Sequence, residues 1–362
     1  MEPTTRQVRV PGRVNLMGDH TDYNRGLVLP MAINRWCDVT VTPNRARVVR
    51  ARSAQLAGAV EVPLDAVVDP LTVEPPWGRF VAGAVAACRA VTSDFEAAIT
   101  GVELDVTSSV PPGAGLSSSS ALAVALVLSL QPGTGRSVLQ WAELALDAEV
   151  RATAVPGGLM DQLAALAGRD DHALLIDFDV LALEPVVMPP AAALLVAHCG
   201  KARTLAGSEY ASRRAECETV AAQLGLGSLR AATREQVVDA PRARHVVSEN
   251  ARVLATAEAL RCGDLDLMGR LMLESHASLR DDYEVSTFEL DALVDAFVGA
   301  GAAGARLTGA GFGGCVVAVC AAEREEQVLA DAITAYRDAT GIEAQGFVAH
   351  AVDGALARGA GG

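Results

Sequence analysis

The stretch Ser109-Val-Pro-Pro-Gly-Ala-Gly-Leu-Ser-Ser-Ser-Ser-Ala121 joins a glycine-containing turn to an apolar helical pattern. Gly113 and Gly115 permit backbone conformations and close approaches that a Cβ atom would forbid. The four serines place hydroxyl and backbone N–H groups at the start of the predicted helix, where the positive end of the helix dipole lies. This combination is typical of a phosphate-binding site, and its simpler alternative is a serine-capped helix after a Pro-Gly turn.

A second glycine cluster, Thr308-Gly-Ala-Gly-Phe-Gly-Gly314, formally matches the dinucleotide pattern Gly-x-Gly-x-x-Gly. That pattern requires a helix after the glycines, whereas residues 315–320 are strand-like. The second cluster is therefore predicted to be a tight turn between two strands. The first cluster is not a Walker A loop, because it lacks the lysine that precedes the final Ser or Thr.

Polar groups are concentrated in Pro11-Gly-Arg-Val-Asn-Leu-Met-Gly-Asp-His-Thr-Asp-Tyr-Asn24, which lies between apolar runs. Four of its side chains could converge at a strand end and bind a polyhydroxylated ligand: Arg13, Asp19, His20 and Asp22. A polar turn without a ligand is the equal alternative.

Two further acids lie in helical patterns. Asp161 is the lone acid of the helix start Pro156-Gly-Gly-Leu-Met-Asp-Gln162, where it could complement the helix dipole or accept a hydrogen bond from a substrate hydroxyl. Glu149 lies in an amphipathic helical pattern. The pattern alone indicates that Glu149 is a solvated surface residue.

The composition is that of a folded, acidic protein. Hydrophobic residues make up 51% of the chain, which excludes disorder for the chain as a whole. The length of 362 residues predicts two domains, or else one large domain. The net charge of −14 excludes a duplex-binding or anionic-membrane-binding protein, so neither nucleic acid nor a membrane is an expected partner. Residues 120–130 are too short to span a bilayer, and the N-terminus lacks a signal-peptide pattern, so a cytoplasmic location is expected.

Cysteine and histidine usage argues against a structural metal. The seven cysteines and six histidines are scattered, without Cys-x-x-Cys or His-x-x-x-His spacing.

The order of predicted elements favours an α+β fold, because strands and helices are mixed without strict βαβ alternation. Strands are predicted at 7–10, 37–42, 48–51, 101–106, 173–177, 193–198, 305–308, 315–320 and 345–351. Helices are predicted at 77–90, 119–130, 137–152, 159–167, 208–224, 242–260, 264–275 and 323–338. The Pro-bearing stretch 184–190 is the candidate boundary between domains 1–185 and 190–362, with residues 355–362 expected to fray.

These segments resemble, in order and spacing, the three signature motifs of the GHMP kinases, a family of sugar and metabolite kinases. The first is similar to the galactokinase signature Gly-Arg-Val-Asn-Leu-Ile-Gly-Glu-His-Thr-Asp-Tyr-Asn and is specific to that branch; the other two are specific to the superfamily. Further similarity covers residues 26–33, 77–83, 158–162, 208–214 and 307–314, so the resemblance spans nearly the whole chain. It implies the GHMP kinase fold, with two α/β-layered domains and the active site in the cleft between them.

The resemblance also implies roles for individual residues. Asp161 matches the base, or orienter, for the sugar C1 hydroxyl, and Arg13 matches the arginine that neutralises charge near the transferred phosphoryl group. Ser119 and Glu149 match the Mg²⁺ ligands. The implied sugar contacts are Asp19, His20, Asp22, Gly158 and Tyr210. The implied ATP contacts are Trp77, beside adenine, and the phosphate loop of Gly113, Ala114, Gly115, Leu116, Ser117, Ser118 and Ser119.

The implied activity is ATP-dependent phosphorylation of the anomeric hydroxyl of a hexose, most simply D-galactose to α-D-galactose 1-phosphate, with Mg²⁺ as cofactor. Two departures leave the sugar open. Asp19 stands where the family has Glu, and residues 198–205 depart from the usual pattern before Ser208. The alternatives are a kinase for N-acetylgalactosamine, L-arabinose or another hexose, and a non-catalytic sugar sensor, which would carry a lesion in the serine loop. The sequence does not indicate an oligomeric state.

Overall fold

The computed structural model describes residues 4–93, 101–131, 135–201 and 206–357, without the side chains of 206–208. The strands of this part of the chain are β1 (Arg6–Asn15), β2 (Leu27–Val28), β3 (Pro30–Pro43), β4 (Val48–Ser53), β5 (Ala59–Pro63), β6 (Val102–Ser108), β7 (His172–Asp177), β8 (Ala182–Val187), β9 (Ala192–His198), β10 (Gly304–Thr308), β11 (Cys315–Ala321) and β12 (Gln345–Ala349). The α-helices are α1 (Gly78–Val91), α2 (Ser118–Leu130), α3 (Val138–Thr153), α4 (Met160–Ala167), α5 (Ala206–Gln223), α6 (Pro241–Cys262), α7 (Leu265–Asp281), α8 (Phe288–Gly299) and α9 (Glu325–Thr340).

The first half is built on a five-stranded sheet in the order β1-β3-β6-β4-β5, in which only the β4–β6 pair is parallel. Helices α1 to α4 pack with this sheet around one apolar core. Helix α2 is apolar on nearly all sides, which is the pattern of a fully enclosed helix. Its N-terminus is thereby fixed at the end of β1, where the polar segment 11–24 begins.

The second half is built on a four-stranded antiparallel sheet in the order β10-β11-β9-β12. The glycine cluster connects β10 to β11, with Thr308 paired to Cys315. The prediction of a tight turn rather than a dinucleotide fingerprint is confirmed. A further three-stranded sheet has the order β2-β7-β8.

The α+β prediction is confirmed, and four of the described strands and α-helices escaped it: β2, β5, β8 and α8. Strand β8 pairs with β7, so the stretch 184–190 begins as a strand rather than as a linker. Helix α8 was not predicted because Phe288 and Val298 are exposed apolar residues that blur its periodicity. Residues 202–205, part of the segment that departs from the family pattern, and residues 358–362, part of the tail expected to fray, lie outside the described residues.

We propose that the chain divides into domains 1–185 and 190–362. The hairpin β7–β8 ends the first set of sheets, and β9 opens the four-stranded sheet, which supports this division. The halves also share an apolar cluster, in which Leu16 and Val317 both lie. Residues 352–356 return to the first half, where Val352 N–H donates to Ala32 O at 3.1 Å.

Candidate active site

A cleft of about 340 Å³ is lined by three regions of the chain: the polar segment after β1, the N-terminal parts of α2 and α4 with the end of α3, and the turn between β10 and β11. Nine of the predicted site residues line it: Arg13, Asp19, His20, Asp22, Ser119, Glu149, Gly158, Asp161 and Tyr210. The structure therefore brings together every predicted catalytic, sugar-binding and metal-binding residue.

The cleft contains an ion pair between Arg13 and Asp161. The Arg13 Nε–H donates to Asp161 Oδ1 at 2.7 Å, and Arg13 NH2 lies 2.6 Å from the same oxygen. The Ser117 hydroxyl donates to the other oxygen, Oδ2. Arg13 NH1 also donates to the carbonyl of Gly115 at 2.6 Å, so one guanidinium holds both the carboxylate and the glycine loop. Asp161 lies in the first turn of α4, which fixes the carboxylate at the cleft wall.

The glycine-serine loop turns sharply before α2. Gly113, Gly115 and Ser117 all have positive φ angles, of 69°, 81° and 59°. Ser117 precedes α2 in the capping position but makes no side-chain capping hydrogen bond, because its hydroxyl is directed at Asp161. The alternative of an ordinary serine-capped helix is therefore wrong for Ser117. The helix N-terminus keeps the partial positive charge and N–H donors that suit phosphate oxygens.

Glu149 faces the cleft rather than bulk solvent, so the expectation from its helical pattern alone is wrong. Ser120 Oγ and Gln162 Nε2 each donate to Glu149 Oε2 at 2.8 Å. Burial raises the pKa of Glu149, and the hydrogen bond from Ser119 opposes that shift. A hydroxyl and a carboxylate thus meet beside the N-terminus of α2.

The sugar-binding candidates surround the other end of the cleft. His20 Nε2 lies 3.3 Å from Ala310 O, and its ring lies 5.6 Å from that of Tyr210. Asp22 lies against Gly158, and burial followed by the nearby charge of Asp161 raises the pKa of Asp22 to about 7. Burial also raises the pKa of Tyr210 well above 10, so its hydroxyl stays neutral and can donate. This end offers donors and acceptors suited to several hydroxyl groups.

Some predicted nucleotide contacts lie outside this cleft. Trp77 is 8% exposed, belongs to the first core and donates its indole N–H to Ala57 O at 3.1 Å. Ala114 and Leu116 are buried in the shared apolar cluster. Their proximity to a nucleotide stays a prediction.

Several residues that contribute to the site were missed: Tyr23, Gln162, Tyr283, Arg306, Gly309 and Ala310. Arg306 had a detectable signal, since it is a charged residue inside the apolar strand pattern 305–308. Tyr23, Gln162, Gly309 and Ala310 lie within segments that the sequence analysis singled out, whereas Tyr283 lies in none of them.

No group of three or more His, Cys, Asp or Glu side chains that could hold a metal occurs in the described part of the chain. Two protein ligands, Ser119 and Glu149, would be enough for a cation that is also held by phosphates. Nor does any helix within the described ranges have the length and apolar character needed to cross a membrane.

Comparisons with known proteins agree along the whole chain. The galactokinase galactose-binding signature matches residues 2–43, the GHMP kinases N terminal domain matches 79–169, and the GHMP kinases C terminal region matches 256–338. A galactokinase from Roseiflexus sp. (strain RS-1) is 43% identical over 96% of this chain and 91% of its own length. A galactokinase from Mycobacterium tuberculosis (strain ATCC 25618 / H37Rv) is 42% identical over 88% of this chain and 90% of its own.

Solved structures show the same fold. Lactococcus lactis galactokinase complexed with galactose matches with a TM-score of 0.88 and 30% identity, covering 97% of this chain and 94% of that one. Methanococcus jannaschii mevalonate kinase matches with a TM-score of 0.70 and 16% identity over 97% of this chain and 99% of that one, which shows the shared GHMP kinase fold alone. With its signature, both family domains and relatives above 40% identity in agreement, the chain belongs to the galactokinase family of the GHMP kinases.

Proposed function

We propose that the chain transfers the γ-phosphoryl group of ATP to the C1 hydroxyl of D-galactose, giving α-D-galactose 1-phosphate. The observation that carries this proposal is the Arg13–Asp161 pair, which lines the same cleft as the sugar-binding candidates and Ser119 at the N-terminus of α2. A carboxylate at this place can accept the proton of a sugar hydroxyl, or orient it, as that hydroxyl attacks phosphorus. The relatives are galactokinases, and one related structure contains galactose.

Arg13 and the α2 N-terminus supply positive charge for the transferring phosphoryl group. Phosphoryl transfer depends mainly on positioning and charge neutralisation rather than on covalent chemistry by the protein. Because Arg13 also binds Gly115 O, the cation stays fixed to the phosphate loop. We propose that residues 113–119 contact the ATP phosphates and that Trp77 lies on the adenine side.

Ser119 and Glu149 would hold Mg²⁺ together with the ATP phosphates. The donor set fits this ion, since Mg²⁺ takes hard oxygen ligands and often uses one or two protein groups beside phosphates and waters. Burial raises the pKa of Glu149 in the metal-free protein, and a nearby divalent cation would favour its ionised form. When bound, the ion neutralises phosphate charge during transfer.

We propose that His20, Asp22, Gly158 and Tyr210 recognise the sugar. Asp22 accepts hydrogen bonds from hydroxyls, and Tyr210 can donate one. The family resemblance implies that the residue at position 19 contacts the hydroxymethyl side of the ring, and because the arm of Asp19 is one methylene shorter than that of Glu, we expect this contact to be weak. We therefore expect strong discrimination against glucose but comparative tolerance of a missing C6 hydroxyl.

The test is a measurement of kcat/KM with ATP and Mg²⁺, coupled to ADP release, for galactose, 6-deoxygalactose, L-arabinose, N-acetylgalactosamine and glucose. Galactose should give the highest value, with 6-deoxygalactose within about 10³-fold of it. Glucose equal to galactose would refute the assignment. Sugar binding without ADP release above that of Asp161→Asn would indicate a sensor instead.

A further inference from the structure

Arg306 is a fully buried cation that joins the two halves of the molecule. It lies in β10, where its guanidinium NH1 donates to the carbonyls of Asn15 at 3.3 Å and Leu16 at 3.2 Å. Its NH2 lies 2.7 Å from Asp19 Oδ2. Arg306 is 0% exposed, so these groups replace water as its partners. One side chain of the second sheet therefore fixes the end of β1 and the segment that follows it.

The other oxygen of Asp19 is bound to the glycine turn. Asp19 Oδ1 accepts the Gly309 N–H at 2.9 Å, and Asp19 is 1% exposed. Both carboxylate oxygens thus face protein groups, although the residue borders the cleft. Because each oxygen already faces a protein group and only 1% of the residue is exposed, the carboxylate presents little accessible surface to a sugar hydroxyl.

The surrounding charges are balanced. Glu249 of α6 lies 3.7 Å from Arg306 and 2.7 Å from Arg252, so two cations face two anions. Glu249 also accepts hydrogen bonds from Gly18 N–H at 3.0 Å and Ser275 Oγ at 2.7 Å. Removing one partner of a buried pair leaves an uncompensated charge, so this cluster holds its geometry strongly.

The turn that Asp19 binds also contacts His20, one of the sugar-binding candidates. Gly309 is followed by Ala310, whose carbonyl accepts from His20 Nε2 at 3.3 Å. His20 has a φ angle of 66°, so its backbone conformation is a strained one that its surroundings must maintain. The position of the turn therefore influences where the His20 ring lies.

We propose that Asp19 and Arg306 form a latch that holds residues 309–310 against the polar segment 11–24. In this proposal Asp19 is a positioning residue and does not bind the C6 hydroxyl. The inference rests on the proposed function for the identity of the sugar. The shorter Asp arm suits this role, since a Glu would carry the carboxylate about 1.5 Å farther from the backbone.

The decisive experiment compares Asp19→Asn with wild type on galactose and on 6-deoxygalactose. A displaced turn harms both sugars, so kcat/KM should fall about 10-fold or more for each, by factors that agree within about 2-fold. The loss should appear mainly in the sugar KM, with the ATP KM unchanged. If Asp19 instead binds the C6 hydroxyl, kcat/KM should fall for galactose but not for 6-deoxygalactose. A difference above about 5-fold between the decreases for the two sugars would overturn the latch. No loss on either sugar also overturns it.

Ser275→Ala is the matched control, because Ser275 is a buried donor to Glu249 that does not contact Asp19. It should lower Tm without changing the sugar KM. An equal rise in sugar KM for Ser275→Ala and Asp19→Asn would show a general loss of structure and overturn the positioning role.

A sugar-independent arm measures Tm for Asp19→Asn, Arg306→Met and the double variant. Because the double variant restores charge balance, its loss of Tm should be smaller than the summed losses of the two single variants. Losses that simply add would overturn the proposed pairing of Asp19 with Arg306. Arg306→Lys should recover part of the Tm lost in Arg306→Met. If the wild type fails to phosphorylate galactose, the proposed function is refuted. The Tm measurements would still test the pairing of Asp19 with Arg306, because they do not depend on the sugar.

Discussion

The Asp22 carboxylate lies so close to the Cα atom of Gly158 that a Cβ atom built there would fall 1.6 Å from Asp22 Oδ2 and 2.5 Å from Asp22 Cγ. No L-side chain can occupy position 158 while Asp22 stays where it is. The need for glycine at 158 therefore arises from packing against a sugar-facing acid rather than from a left-handed backbone.

Gly158→Ala should displace Asp22 and raise the sugar KM by about 10-fold or more, with a smaller effect on the ATP KM. A shift of about 1 Å in a binding group can cost up to about 10²-fold. Gly157→Ala is the matched control, since its Cβ would meet only the flexible Leu146 Cδ1 at 3.1 Å. Steady-state kinetics decide the matter: equal sugar KM values for the two variants contradict the argument.

Asp22→Asn should stabilise the sugar-free protein, and more so at pH 8 than at pH 5. Burial and the nearby Asp161 raise the Asp22 pKa from 3.8 to about 7. The folded state therefore binds the proton more tightly than the unfolded state, and stability falls as pH rises from about 4 to about 7. Ionised Asp22 costs up to about 4 kcal/mol above that range, and Asn avoids it. Thermal melts at both pH values test this; a Tm gain that does not grow with pH contradicts it.

Asp161→Asn should lower kcat by about 10²–10⁴-fold while ATP binding and the fold persist. Arg13 keeps its bond to Gly115 O in this variant, which preserves the loop. Ser117→Ala, which removes only a neutral donor to Asp161, should lose less. The measurements are kcat and a direct ATP titration. More than roughly a tenth of the wild-type kcat in Asp161→Asn would show that Asp161 is not the acid/base.

The features of the fold and site that could be predicted from the sequence are those set by residues close together in the chain or by recognised motifs. The turn at 309–314 and the helix start at 118 follow from glycine and serine chemistry within a few residues, and the structure confirms both. The Arg13–Asp161 pair was predictable through its motifs, whose spacing is characteristic of the family.

The latch was not predictable, because Asp19 and its partner Gly309 are separated by 290 positions and no local pattern relates them. An arginine within an apolar strand pattern indicates only that a buried partner exists. Which partner it has depends on how the two sheets pack, and that packing is a property of the whole fold.

Glu149→Gln should raise the Mg²⁺ concentration needed for half-maximal rate by more than it raises the sugar KM. The substitution removes the carboxylate that is proposed to bind Mg²⁺ with Ser119, while keeping a side chain of similar size. Glu143→Gln is the control, since Glu143 is an exposed residue of the same helix. Rate is measured against free Mg²⁺ at fixed ATP. Tight metal binding by the nucleotide-free protein would contradict the proposed two-ligand site.

A chain of hydrogen bonds connects the sugar site to the core of the second half. His20 Nδ1 lies 2.8 Å from the Tyr23 hydroxyl, which lies 2.7 Å from that of Tyr283. Because the Ala310 carbonyl can only accept, His20 Nε2 donates to it, and Nδ1 shares a hydrogen bond with the Tyr23 hydroxyl. The Tyr23 hydroxyl is also hydrogen-bonded to that of Tyr283, so the Tyr283 hydroxyl supports the orientation of His20 through Tyr23.

Tyr283→Phe should therefore raise the sugar KM several-fold and cost about 1 kcal/mol of stability, since it keeps the buried ring but deletes the hydroxyl that is hydrogen-bonded to Tyr23. Tyr336→Phe provides the control, because Tyr336 is equally buried and donates to Cys199 O at 2.7 Å, outside the cleft. Both variants should lose similar stability, but only Tyr283→Phe should change the sugar KM. Matched sugar KM values for the two variants would show that the Tyr283 hydroxyl stabilises the fold without orienting His20. A sugar KM that rises in Tyr283→Phe while its Tm stays equal to that of Tyr336→Phe separates orientation of His20 from stability.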